Sequence, residues 1–279
     1  MHASDSRPPY HDERHAAIEA AHRAGRIIRE RMGAIDPDAA HEKGRNDLVT
    51  EVDEAAQQTI TELLGSAFPE HTILAEEGAD LDAHAATADG FRWIIDPLDG
   101  TTNFTYQIPP VAVSIALQRG DTIVVGVVLD VTHRELFVAV RGQGLEVNGR
   151  PARVSATDDF ARALIATGFP YRRFEHTEQY LDVLGRFLRQ TRGVRRHGAA
   201  SVDLARVAAG RFTGFYETGL KPWDVAAGTL LVEEGGGRVT DYRDQSPPHP
   251  IFERQIVASN GAIHSAMLDL LEPMRDVRL

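Results

Sequence analysis

The stretch Trp93-Ile94-Ile95-Asp96-Pro97-Leu98-Asp99-Gly100-Thr101-Thr102-Asn103-Phe104 constrains this chain more than any other part of it. Apolar residues run into two aspartates, and the chain then turns through a glycine into hydroxyl residues. Ile94 and Ile95 suit a buried strand, since β-branched side chains fit a pleated surface. Pro97 lacks a ladder donor and Gly100 tolerates a tight turn, so the strand is expected to break there. Thr101 and Thr102 can begin a helix. Carboxylates then stand at the carboxyl end of a strand, next to backbone N–H groups. Carboxylates hold Mg2+, and helix-start N–H groups hold phosphate. Both together point to metal-assisted phosphate chemistry.

The rest of the chain is ample to bury such a site. It has 279 residues, 42% of them hydrophobic, enough for one large domain or two fused lobes. The formal net charge of −11 disfavours general binding to nucleic acid or an anionic membrane. It does not exclude a small anionic substrate, because bound divalent cations invert the local field. Cysteine is absent, which removes disulfides, thiolate metal sites and a cysteine nucleophile. Residues 1–14 are polar and carry no apolar signal-peptide core. No apolar run approaches the ~18 residues of a membrane span. A cytoplasmic enzyme is expected.

Periodicity gives an alternating order of elements. Residues 1–12 read as a frayed tail and 13–32 as a helix, with Ala17, Ala20, Ala21, Ala24, Ile27 and Ile28 at mostly helical spacing. A second helix starts after Thr50 or Asp53, and short strands follow at 72–75 and 91–96, with a loop over 79–90 between them. Strands at 111–117, 122–129 and 135–140, separated by Gly120-Asp121 and Thr132-His133, read as an antiparallel meander. Further on come a strand at 161–167, helices at 176–190 and 201–209, and a strand at 212–217. A helix at 225–234 stops at Gly235-Gly236-Gly237, a strand lies at 255–258, and the last helix occupies 262–271. The expected architecture is a layered α+β enzyme of two tightly fused sub-regions. Residues 13–150 would carry a metal site and 151–279 would complete it, with a seam near 145–160.

Acidic residues sit beside structure breaks in four places: Asp47 and Asp53, Glu76-Glu77 before Gly78, the Asp96/Asp99 pair, and Asp224 after Lys221-Pro222-Trp223. Two or three Mg2+ ions need several hard oxygen ligands converging from different segments. Two metals roughly 4 Å apart clamp the attacking and leaving oxygens of a displacement at phosphorus. Asp96 can bridge such a pair and Asp99 can serve one member of it. Pro97 restricts the backbone between them, which makes the Leu98 carbonyl a natural extra ligand. Taken singly, Glu76-Glu77 is an ordinary solvated pair and Asp47 or Asp53 an ordinary helix cap. For the Asp96-to-Thr102 stretch a plain turn is the weaker reading, given its strand context and combined chemistry.

Together these residues resemble the inositol monophosphatase family of Mg2+-dependent, lithium-sensitive phosphatases. Asp96-Pro97-Leu98-Asp99-Gly100-Thr101-Thr102-Asn103-Phe104 is similar to the family's central motif, and Trp223-Asp224-Val225-Ala226-Ala227-Gly228 to its C-terminal one. Asp47-Leu48-Val49-Thr50-Glu51-Val52-Asp53 and Leu74-Ala75-Glu76-Glu77-Gly78 are similar to the two upstream motifs, and the order is right. The resemblance implies a layered α-β-α-β-α sandwich with mixed, largely antiparallel sheets. It implies that Glu76, Asp96 and the Leu98 carbonyl hold a first Mg2+, and that Asp96, Asp99 and Asp224 hold a second. Glu76 would help a third, more weakly held one. Thr101, hydrogen-bonded to Asp53, would orient or deprotonate the attacking water with Glu76. The backbone N–H groups of Gly100 and Thr101 would bind phosphate, and no covalent phosphoenzyme is expected. The sugar side would lie on Gly198, Ala199 and Ala200 and on Glu217, with Asp99 and Asp224 also touching substrate. A homodimer and a small phosphorylated polyol substrate, foremost myo-inositol monophosphate, follow from the same resemblance. Relatives that take fructose 1,6-bisphosphate, histidinol phosphate or 3′-phosphoadenosine 5′-phosphate share the motif.

Other features are given ordinary readings. His2, His11, His15, His22, His41 and His249 read as surface residues, and His197 as a structural neighbour of the pocket. Arg186, Arg189, Arg192, Arg195 and Arg196 form a local basic run that reads as a solvated face. The competing reading of that run is an RNA or transcription-complex contact, which the net charge disfavours only in general terms.

Overall fold

A computed structural model describes residues 8–33, 51–77, 90–170, 174–246 and 255–277. Asp47, Gly78, His2, His41, His249 and nearly all of the loop expected at 79–90 lie outside the described residues. The helices are α1 (His11–Arg31), α2 (Glu51–Ala67), α3 (Thr101–Thr105), α4 (Thr177–Gln190), α5 (Ala200–Ala208), α6 (Pro222–Glu234) and α7 (His264–Leu271). The first sheet holds β1 (Thr72–Ala75), β2 (Phe91–Asp99), β3 (Ala112–Arg119), β4 (Thr122–Asp130), β5 (Glu135–Val140), β6 (Gly144–Val147) and β7 (Arg150–Ala152). These seven strands lie in chain order. Only β1 and β2 run parallel; every later neighbour is antiparallel.

Alternation along β3 shows why two layers form on this sheet. Val113, Ile115 and Leu117 join one core with Ala17, Ala21 and Ile28 of α1 and Val52, Ala56 and Ile60 of α2. Ala112 and Ala116 point the other way, into a second core with Ala226, Ala227 and Leu230 of α6. The residues toward α6 are small, so the helix comes close. A Cβ added at Gly126 on β4 would sit 2.9 Å from the Ala227 carbonyl oxygen.

The second sheet is built from β8 (Leu164–Thr167), β9 (Gly193–Arg195), β10 (Gly214–Thr218), β11 (Arg238–Thr240) and β12 (Gln255–Ser259), in the spatial order β11-β12-β10-β8-β9. Its inner face packs Phe215, Ile256 and Ala258 against α5 and α6. Its outer face packs Tyr216 and Val257 against Tyr180, Val183 and Phe187 of α4 and Met267 and Leu271 of α7. The layers therefore run α-β-α-β-α. Helix α6 lies between two sheets and is apolar around most of its girth, with Val225, Ala226, Ala227, Leu230, Leu231 and Val232 all buried. On the outer side, the ring of the wholly buried His264 is held between Thr240 Oγ1 and Ser259 Oγ, both at 2.9 Å.

Several boundaries depart from the sequence reading. The helix expected from residue 13 begins at His11, and the expected tail is packed from its end: Tyr10 meets Phe91 edge-on, and Gln143 donates to the Pro9 carbonyl. Pro97 does not end β2, which continues to Asp99 with a register irregularity between Asp96 and Asp99. A bulge of this kind tolerates a missing donor. Two further strands, β6 and β7, carry the meander on past residue 140. Helix α6 starts three residues earlier than expected, because Pro222 is favoured in a first helical turn. Strands β9 and β11, three residues each, are too short to show periodicity.

Candidate active site

The irregularity in β2 places the two aspartates of the central motif. In a regular strand residues three apart face opposite sides. Here the pairing with β3 jumps from Asp96↔Ser114 to Asp99↔Ala112, and that alternation is lost. Asp96 Oδ1 accepts the Leu98 N–H at 3.0 Å, which folds the chain over Pro97. Asp99 Oδ2 accepts the N–H of Ser201 at 2.8 Å and its hydroxyl at 2.5 Å, so the start of α5 holds one of its oxygens. Gly100 follows at φ +90°, and a Cβ there would stand 2.9 Å from the Pro110 carbonyl. Only glycine meets both demands.

The remaining acids arrive from three other elements. Asp53 lies in the first turn of α2 and is 2% exposed. Glu76 directly follows β1, with its N–H on the Ile95 carbonyl at 3.2 Å. Asp224 is the third residue of α6, and its Oδ2 accepts the Lys221 N–H at 2.6 Å, the backbone half of a capping box.

These carboxylates sense one another. Burial pushes Asp96 well above the usual carboxylate range, and the charges of Glu76, Asp99, Asp224 and Asp53 push it further. Burial followed by Glu76 and Glu77 raises Asp53 to about 8. Burial raises Asp99 to about 6, with the Ser201 bonds pulling the other way. Burial and then Asp99 raise Asp224, again far above its ordinary value. Like charges gathered out of water disfavour their own ionisation, and a bound cation reverses that balance. The donor set is all hard oxygen, which suits Mg2+ or Ca2+ and not a thiolate-seeking metal. Among the described residues, no three acidic side chains are already closed around one point as a metal cage. The fit to a cation therefore rests on donor chemistry and mutual repulsion.

Thr101 differs from expectation in one respect. Its hydroxyl donates to the Leu98 carbonyl at 3.1 Å, not to Asp53. The first helical turn puts that carbonyl three residues back, within easy reach of a threonine hydroxyl. The contact fixes both the hydroxyl and a carbonyl expected to be a metal ligand.

The opposite wall comes from the second sheet. Gly198 has φ +86°, and its carbonyl lies 3.4 Å from where a Gly100 Cβ would stand, with the Ala199 methyl equally near. Ala200 opens α5. Glu217 lies on β10 with its carboxylate against Gly168, where a Cβ would overlap it. Burial raises the Glu217 carboxyl well above its ordinary value, and the charge of Arg196 partly offsets this. The Arg196 guanidinium also lies over the Phe169 ring, 5.3 Å from its centre. All the sequence-derived site residues among those described thus belong to this junction.

Sequence reasoning missed the residues that join the two walls. Asn103 donates from one amide nitrogen to the carbonyls of Pro110 and His197, both at 2.8 Å. His197 Nδ1 lies 2.8 Å from Asp203, and its ring stacks on Phe212. Asn103 sits inside the central motif among Thr101, Thr102, Phe104 and Thr105, and that largely polar turn gives no signal of its partners. Ser201 had none either, because its partner Asp99 is remote in sequence.

Comparison with known proteins bears on the family and the fold. The family model described as the inositol monophosphatase family matches residues 10–275. The Nus factor SuhB of Pseudomonas aeruginosa is 44% identical over 260 residues, spanning 92% of this chain and 94% of that one. Its counterpart in Escherichia coli K12 is 42% identical, spanning 90% and 92%. Among solved structures, the inositol monophosphatase of Anabaena (Nostoc) sp. PCC 7120 superposes with a TM-score of 0.84 at 37% identity, covering 95% of this chain and 97% of that one. Mycobacterium tuberculosis SuhB gives 0.75 at 32%, covering 94% and 96%. The chain belongs to the inositol monophosphatase family.

Proposed function

We propose that this protein is a Mg2+-dependent phosphomonoesterase that hydrolyses myo-inositol monophosphate to inositol and phosphate. Membership of the family supports a phosphatase. The observation that carries the reading is the convergence of Asp53, Glu76, Asp96, Asp99 and Asp224, from four separate elements, into one mutually repelling group.

Glu76, Asp96 and the Leu98 carbonyl would hold one Mg2+, and Asp96, Asp99 and Asp224 another, with Glu76 assisting a third. Bound Mg2+ would neutralise charge on the phosphoryl oxygens and acidify water. The backbone N–H groups of Gly100 and Thr101 would receive the phosphate. The Thr101 hydroxyl would aim a water at phosphorus, and Glu76, with Asp53 behind it, would take the proton. The water oxygen bonds to phosphorus as the ester P–O bond breaks, and the leaving alkoxide takes a proton from solvent. Glu217 would accept hydrogen bonds from ring hydroxyls, and the small residues Gly198, Ala199 and Ala200 would let the ring approach the backbone. The same reading places a homodimer in the cytoplasm. No described helix is long and apolar enough to cross a membrane.

Purified protein is assayed for phosphate release from inositol 1-phosphate, fructose 1,6-bisphosphate, histidinol phosphate and 3′-phosphoadenosine 5′-phosphate, with and without Mg2+. Highest kcat/KM on inositol 1-phosphate, lost without Mg2+, is expected. Silence on the whole panel overturns the enzyme reading, and preference for another ester overturns the substrate.

One observation favours a second reading. Relatives at 42–44% identity are named Nus factor SuhB. A contact with RNA or a transcription complex through the run Arg186, Arg189, Arg192, Arg195 and Arg196 is the corresponding proposal. Co-purification of RNA, abolished by Arg195→Glu with Arg196→Glu, is its expected signature; RNA-free protein counts against it.

A further inference from the structure

We infer that Gln57 is a positioning residue for Glu76, acting through the backbone of Glu77. The inference rests on the reading of Glu76 as a metal ligand. Strand β1 lies at the edge of its sheet and has one neighbour, β2. Their pairing ends at Ala75↔Ile95, and the Glu76 N–H makes one more bond to the Ile95 carbonyl. Past that point the sheet no longer guides the segment. The Gln57 carboxamide takes over: its Nε2 donates to the Glu77 carbonyl at 2.9 Å, and its Oε1 accepts the Glu77 N–H at 3.0 Å. Donor and acceptor of one side chain close a ring on one residue, as a neighbouring strand would.

Only an amide side chain can do this. A carboxylate of the same length has no donor for the carbonyl, and it would add a charge beside Asp53 and Glu76. Asparagine is one methylene shorter. Gln57 lies one helical turn beyond Asp53, on the same face of α2. The helix that supplies Asp53 therefore also fixes the segment that supplies Glu76. Two acids from different elements move as one body.

The test uses Gln57→Met, which keeps the volume and removes both bonds, and Gln57→Ala, which keeps helix propensity. Gln58→Met, at an exposed neighbouring position, is the control. Amide hydrogen exchange of the peptide containing Glu76 and Glu77 is measured without metal, and Mg2+ binding is measured by titration calorimetry. Both Gln57 variants are expected to exchange faster at residues 76–77 with α2 still protected. Their Mg2+ affinity is expected to fall roughly 10- to 100-fold, the usual cost of losing a residue that orients a ligand. KM for inositol 1-phosphate at saturating Mg2+ should stay unchanged while kcat falls. Unchanged exchange at 76–77, or an unshifted Mg2+ titration in both variants, overturns the inference. A flat titration of the unaltered protein removes the metal reading and this inference with it. A normal one beside unshifted variants removes this inference alone.

Discussion

The seven-stranded sheet delivers Asp96, Leu98, Asp99, Gly100 and Thr101 from one short run at the end of β2, whereas the five-stranded sheet delivers Glu217 from β10 and little else nearby in sequence. On the first wall, relative positions are set by local geometry: a bulge, a turn over Pro97, and a glycine at positive φ. On the second they depend on remote packing, with Glu217 seated on Gly168 and Gly198 crowding Gly100. In the proposed reading, Asp96, Leu98 and Asp99 as metal ligands and the phosphate-binding N–H groups beside them sit on the locally determined wall. The groups proposed to select the alcohol portion sit where a changed contact alters fit without disturbing those proposed ligands.

That contrast can be broken most sharply at Asp96. Asp96→Asn is expected to lower Mg2+-dependent phosphate release by more than about 10³-fold, since the ligand proposed to be shared by two cations is lost. Metal-free protein should nevertheless melt no lower, because the change removes one of several repelling charges. A melting temperature that falls would mean that Asp96 holds the wall together rather than serving a cation.

A smaller effect belongs to the outer side of the second sheet. Burial, with some help from Arg238, lowers His264 to about 4. Thr240 gives its proton to the Asp241 carbonyl, so the ring donates from Nε2 and receives the Ser259 hydroxyl at Nδ1. The folded state resists the proton that the unfolded chain takes up below about 6.5. Stability from this group is complete above that pH and declines as the pH falls toward the folded value, by about 3 kcal/mol in total. Denaturant melts at pH 7, 5.5 and 4.5 measure it, and His264→Gln should flatten the decline. An unchanged slope in the variant would assign acid sensitivity elsewhere.

Gly100→Ala tests the local wall by strain. It is expected to cost about 1–3 kcal/mol of stability and to slow release from every ester alike. Glu217→Gln tests the remote wall and should be milder. KM for inositol 1-phosphate is expected to rise about tenfold, with turnover of 4-nitrophenyl phosphate within about twofold of the parent. If both esters suffer equally, Glu217 supports the reaction rather than the fit.

Legibility in the sequence followed the same divide. The meander could be read because β3, β4 and β5 carry long apolar runs, and the central motif because its residues are contiguous. The short strands β9 and β11 left no period to read. The start of α6 is hidden in the sequence because Asp224 interrupts the apolar residues and the unbroken run begins only at Val225. The Thr101 hydroxyl meets the Leu98 carbonyl, a contact that the resemblance of the motif does not report. Asn103, Ser201 and Gln57 each act on a partner 20 or more residues away, and nothing in their immediate neighbours marks them.

Gly126 illustrates how far from the chemistry the geometry is set. It bears no candidate ligand, yet its missing methyl is what lets the Ala227 carbonyl rest on β4. Ala227 lies one helical turn after Asp224 on the rigid axis of α6. Any side chain at 126 would act as a shim, lifting that axis and widening the gulf between the carboxylates of Asp99 and Asp224. The spacing between those two carboxylates is thus gauged by a hydrogen atom on a strand that carries neither of them.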